Sequence, residues 1–169
     1  MLEDRMTEKP EEIFFRYAFS CGAELLELKL IGRDIYTRIE SFLSEGKTPD
    51  REFLEATYPN AIKRIQVLAL TLGRDKWDST VIRQYFIDEH NKVIDNVEGN
   101  YRLMSPQNRE LCKVRVGVIK DRYLIKDKLL TYIVDYGDKT EEVVGKYLPD
   151  ADIGDKITTH WRFAIEKLE

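Results

Sequence analysis

Soft-ligand chemistry in this chain rests on four side chains, the cysteines Cys21 and Cys112 and the histidines His90 and His160. A cysteine thiolate binds thiophilic metals and attacks electrophiles, and a neutral imidazole is the commonest protein ligand for a metal ion. Lys113 and Arg115 flank Cys112, and cations so placed lower a thiol pKa. These features make Cys112 a candidate thiolate contact. The structural alternative is a small core residue at the start of a strand, aligned with Val114 and Val116. His160 has a parity opposite to Ile157, Thr159 and Trp161, which predicts the outer face of a strand, where a partner could meet it. His90 falls near a helix end and fits a capping cation, while Cys21 fits the apolar side of the first helix. Together the four have the donor types of a zinc or iron site. No CxxC or close histidine pair gathers them, so a site built from all four stands as an alternative to the main reading.

Other chemistry is poorly represented. The sequence contains no GxSxG, P-loop, GxGxxG or HExxH pattern, and Glu141-Glu142 reads as a solvated turn. The chain is therefore not expected to be an enzyme. Its 169 residues carry a net charge of -4, which gives no global positive field for nucleic acid or an anionic membrane. A nucleic-acid-binding module using Lys113, Arg115, Lys120, Arg122, Lys126 and Lys128 as a basic face remains a second alternative. No apolar run is long enough to cross a bilayer, and Met1-Leu2-Glu3-Asp4-Arg5 is acidic where a secretory leader would be basic and then apolar. A cytoplasmic location without membrane contact is expected.

The elements that must position these residues change character along the chain. Pro10 suits a first helical turn, and Ile13, Phe14, Tyr17 and Cys21 recur at helical spacing. Further helical stripes run through Ile35, Ile39, Phe42 and Leu43, through Phe53, Leu54 and Tyr58, through Ile62, Ile65, Leu68, Ala69 and Leu72, and through Val81, Ile82, Tyr85 and Phe86. The dense set Phe14, Phe15, Tyr17 and Phe19 exceeds one helix face, and part of it is expected to pack against the second half of the chain. Gly99-Asn100 and Ser105-Pro106-Gln107-Asn108 read as turns. After them the period becomes two, at Cys112, Val114, Val116 and Val118, at Leu130 to Val134, at Glu142 to Tyr147 and at Lys156 to Trp161. This predicts an α+β chain with a helical domain over 1–104 and a small β-barrel or sandwich over 109–169. The net negative charge lies in the helical part, since residues 109–169 hold 12 basic and 12 acidic side chains.

In order along the second half stand Val134-Asp135-Tyr136-Gly137, Glu142-Val143, Leu148-Pro149-Asp150-Ala151, Ile153-Gly154-Asp155-Lys156-Ile157 and the closing stretch His160 to Leu168. This series, over 111–168, resembles the HypC/HupF family of hydrogenase maturation chaperones. Leu111-Cys112 takes the place of that family's opening Met-Cys, and Gly117 that of its IPG glycine. The resemblance implies an OB-like antiparallel barrel that binds proteins, with a HypD-like maturation protein and the large subunit of a nickel-iron hydrogenase or related metalloenzyme as partners and iron as cargo. It assigns Cys112, His160, Trp161 and Phe163 to partner contact and Cys112 with His160 to metal. The chain departs from the family in having Cys112 internal, Val116 for the IPG proline, Asp138 for the second turn glycine and Arg162 for the glycine before Phe163-Ala164-Ile165.

Overall fold

In the computed structural model the described residues are 8–169, so the acidic opening weighed above lies outside them. Helices come first and a closed five-stranded barrel second, as the change in periodicity predicts. Helix α1 (Pro10–Ala18) starts on proline with Glu11 and Glu12 in its first turn, and it buries Ile13, Phe14, Phe15, Tyr17 and Ala18. A 3₁₀ turn, Phe19–Cys21, leads into α2 (Gly22–Glu27). The next helices are α3 (Arg33–Glu45) and α4 (Arg51–Thr57), the second capped by Asp50, whose side chain accepts from the Phe53 amide at 2.8 Å. Helix α5 (Pro59–Leu72) ends at Gly73 in the left-handed conformation that glycine adopts most readily.

Helix α6 (Ser79–Gln84), capped by Asp78, continues through a π-helical turn, Tyr85–Glu89, into α7 (His90–Asp95). The extra residue of a π turn rotates the helix face, and here Tyr85, Phe86 and His90 all end up buried. Then come a 3₁₀ turn (Gly99–Leu103) and α8 (Pro106–Cys112). Helix α8 corrects the reading of Cys112 as the start of a strand: it is the last helical residue, and the first strand begins at Arg115. Ser105 caps this helix, accepting from the Asn108 amide at 3.1 Å, and Pro106 takes the first turn.

The strands are β1 (Arg115–Ile125), β2 (Leu129–Asp135), β3 (Thr140–Val144), β4 (Lys156–His160) and β5 (Phe163–Leu168). They close in the order β1-β2-β3-β5-β4. All ladders are antiparallel except one parallel contact, Val144 with Phe163, between β3 and β5. Gly117 has no room for a side chain, since a Cβ there would stand 2.5 Å from Val134 Cγ1 and 2.9 Å from the Asp135 carbonyl. The barrel interior is Ile119, Tyr132, Val134, Val143, Ala151, Ile157 and Ala164.

The outer side of β4 and β5 is covered as well. Ile165 and Val114 belong to the same apolar cluster as the helical aromatics, and Phe19 places its ring 4.6 Å from Tyr147 and 5.4 Å from Phe163. Polar contacts run alongside: Tyr17 Oη donates to Glu166 at 2.9 Å and meets Thr158 Oγ1 at 3.1 Å, while Arg83 on α6 donates to Glu166 at 2.7 Å.

Candidate metal centre

Cys21 closes the 3₁₀ turn after α1, Cys112 ends α8, and His160 ends β4. Their donor atoms all lie within 4.8 Å of one another. His160 Nε2 stands 3.7 Å from Cys21 Sγ and 3.6 Å from Cys112 Sγ. Metal bonds of about 2.3 Å to sulfur and 2.0 Å to nitrogen at a tetrahedral angle separate the two donors by about 3.5 Å. The observed spacing of the imidazole nitrogen from each sulfur therefore suits an ion held between them.

The imidazole is oriented for this. His160 Nδ1 donates to the Tyr17 carbonyl at 2.7 Å, with Ser20 Oγ also near at 3.2 Å. A ring that spends its Nδ1 proton on a backbone oxygen presents the Nε2 lone pair, the usual arrangement around a ligating histidine. Helix α1 thus supplies the oxygen that sets the tautomer, and the 3₁₀ turn after it supplies, four residues on, the sulfur that shares the lone pair's side.

His90 stands beside this trio. Its Nε2 lies 3.9 Å from Cys112 Sγ and 3.1 Å from Tyr101 Oη, and its ring centroid is 5.3 Å from that of His160. The structure thus gathers Cys21, His90, Cys112 and His160, for which no sequence spacing gave a reason. Trp161 joins them through the turn between β4 and β5, where Trp161 and Arg162 both adopt left-handed backbone (φ 51° and 61°) and the Trp161 amide donates to the Leu111 carbonyl at 2.9 Å. Phe163 lies elsewhere, against Phe19 and Tyr147.

Burial separates these positions from the outward-facing ones expected of a contact surface. Cys112 is 2% exposed and His160 1%, while Trp161 and Phe163 are half-buried. The alternation argument placed His160 on an outer face, and that face is covered because α1 packs over it.

Electrostatics push the two thiols in opposite directions. The Cys21 thiol is pushed well below its ordinary range, first by the neighbouring Cys112 thiol hydrogen-bonded to its sulfur and then by His160, against the opposing effect of burial. Cys112 is pushed well up, by that same partnership and by burial. For His160 burial favours the neutral ring, but the Cys21 thiolate and the hydrogen bonds around it win, raising its pKa. His90 goes the other way: burial, then the charge at His160, bring it down to about 3. A divalent ion would let both sulfurs ionise, since its two charges balance theirs.

The basic residues considered for nucleic acid are largely neutralised. Lys113 pairs with Asp95 and Glu110, Arg115 with Asp138, Lys120 with Asp135 and Arg122 with Asp152. No family model matches the chain, and no curated protein or solved structure matches it. What the sequence reading missed is the company around Cys112: the Tyr17 carbonyl, Ser20 and Tyr101 carry no spacing signal, whereas Ser105-Pro106 is a cap and first-turn pair that marks α8 and so the helical setting of Cys112.

Proposed function

We propose that this protein is a metal-handling adaptor, not an enzyme, in which Cys21, Cys112 and His160 hold a thiophilic divalent ion and His90 is the nearest further donor. The convergence of two sulfurs and one oriented imidazole nitrogen from three distant segments, at tetrahedral spacing, carries this reading. The resemblance to HypC/HupF chaperones supplies the setting, with iron as the ion transferred during nickel-iron hydrogenase assembly and a HypD-like protein and the large subunit as partners. A strand order of β1-β2-β3-β5-β4 with a single parallel contact supports an OB-like barrel.

Burial shapes the role. An ion held by Cys112 and His160, 2% and 1% exposed, with Cys21 half-buried beside them, cannot pass to a partner by simple contact. Transfer requires the α8 end or the Trp161-Arg162 turn to yield, and a partner docking there would trigger it.

The test is cobalt(II) titration of reduced protein, read by sulfur-to-cobalt charge transfer and by the intensity of the ligand-field bands. One equivalent with tetrahedral intensity is expected, and Cys21→Ser, Cys112→Ser or His160→Ala should each weaken binding at least tenfold (about 1.4 kcal/mol). The decisive variant is Cys21→Ser, because the HypC resemblance assigns nothing to that residue. Absence of charge transfer, or a Cys21→Ser protein that binds cobalt as the parent does, overturns the reading.

A further inference from the structure

The Cys/His cluster, through Cys21, His90 and Cys112, forms one wall of a mainly apolar chamber of about 200 Å³ between α2, the start of α5, the π turn and the 3₁₀ turn at Gly99–Leu103. Its walls include Leu25, Leu28, Phe86 and Met104, and Leu30 (44% exposed) with the exposed Asn60 stands at its edge, so it has a route to solvent.

Two features set this chamber apart from a packing defect. Among the described residues, the buried side-chain N or O atoms without a hydrogen-bond partner are Tyr58 Oη, His90 Nδ1 and Trp161 Nε1, and all three residues line this one cavity. A buried polar group left unpaired is costly, so their gathering around one chamber points to an occupant. Tyr58 is 5% exposed, and burial with the charge at Cys21 keeps its hydroxyl protonated, hence a donor. Trp161 Nε1 can only donate, and the sulfurs of Cys21 and Cys112 are the weak acceptors near it.

The second feature is Arg64. Among the described residues no carboxylate pairs with this half-buried guanidinium on α5, which lines the chamber. It packs beneath Gly99, where a Cβ would stand 3.1 Å from its Nη2. Its charge is felt inside: it favours the ionised forms of Tyr85 and Tyr101 and the neutral form of His90, and all three line the same space.

An apolar cavity of about 150 Å³ holds benzene, so the larger volume here takes a ring or short chain with one small headgroup. Tyr58 Oη is a donor and Arg64 a cation, and together they suit an acceptor of negative charge; Glu24 and Cys21, which share the lining, do not, so the headgroup is assigned to Arg64 and Tyr58. We propose that the chamber binds a small, mostly apolar monocarboxylate, its body among Leu25, Leu28 and Phe86 and its carboxylate received by Arg64 and Tyr58. This proposal does not depend on the metal reading.

The probe is 4-fluorobenzoate, added to reduced full-length protein with a chelator present so that no metal can bridge the two, and followed by fluorine NMR. Saturable binding at millimolar or lower concentration is expected, with 4-fluorotoluene at least tenfold weaker because it lacks the charge. Tyr58→Phe is the informative variant. Removing an orphaned buried hydroxyl should leave the ligand-free melting temperature unchanged or higher while weakening 4-fluorobenzoate several-fold. Arg64→Gln should weaken it at least tenfold, and Leu28→Trp should abolish binding by filling the space. No saturable binding by the parent, equal affinity for the neutral analogue, or unchanged affinity in both Tyr58→Phe and Arg64→Gln overturns the proposal.

Discussion

A histidine held neutral in the folded protein and free to take a proton in the unfolded one makes stability depend on pH. His90 is such a residue, with a folded pKa of about 3 against an ordinary 6.5. Between those values the unfolded chain binds the extra proton, so stability rises with pH across this window and is lost as pH falls from about 6.5 toward 3. From pH 7 to 4.5 the loss from this group is about 3 kcal/mol. Carboxylates titrate in the same range, so the measurement is a difference: urea unfolding of chelated parent and His90→Gln at both pH values. The variant should lose about 3 kcal/mol less over that interval, and equal losses would show that His90 is not what destabilises the acid form.

At the scale of elements, the turn joining β4 to β5 is informative because two bulky L-residues occupy left-handed backbone there. That conformation costs roughly 1–2 kcal/mol for a residue with a Cβ, and glycine escapes most of it. Arg162→Gly is therefore expected to raise stability by about 1 kcal/mol, seen as a higher urea midpoint with unchanged m-value. A decrease would mean that the Arg162 side chain contributes more than the strain it imposes. Most elements of this chain were legible beforehand for one reason: their apolar residues recur with the right period and their ends carry caps, as at Pro10, Asp78 and Gly73. Helix α8 was read as a turn because Ser105 to Asn108 holds no apolar residue, although the Ser-Pro pair signals a helix start. The outer half of β1 was likewise silent. Residues 120–125 are exposed, so burial imposes no alternation, and the Lys126-Asp127 turn that pairs them with β2 uses left-handed residues without glycine. The cluster itself had no signature at all, because its spacing exists only after the helices lie across the barrel.

At the scale of the whole molecule, helices and barrel share one buried seam. Glu166 on β5 receives Tyr17 from α1 and Arg83 from α6, and Phe19 inserts between Tyr147 and Phe163. Removing Glu166 takes away the acceptor of Tyr17 and one partner of Arg83, which keeps Glu8 at 2.9 Å. Glu166→Ala is expected to cost about 2 kcal/mol and lower the melting temperature by roughly 6 °C. The far-UV signal of the helices and the tyrosine and tryptophan fluorescence should shift together in a single transition. Two separate transitions would show that the halves fold independently of this seam. The three sulfur and nitrogen donors have the same long reach, with Cys21 and His160 139 positions apart in sequence and Cys112 and His160 48 apart. During synthesis the two cysteines leave the ribosome well before the histidine that must join them. Until β4 has emerged and paired, each thiol is on its own, and no complete donor set exists for an ion to enter. On the metal reading proposed above, loading belongs to a chain in which β4 is in place, and the cysteines' exposure to oxidants is greatest in the interval before β4 arrives.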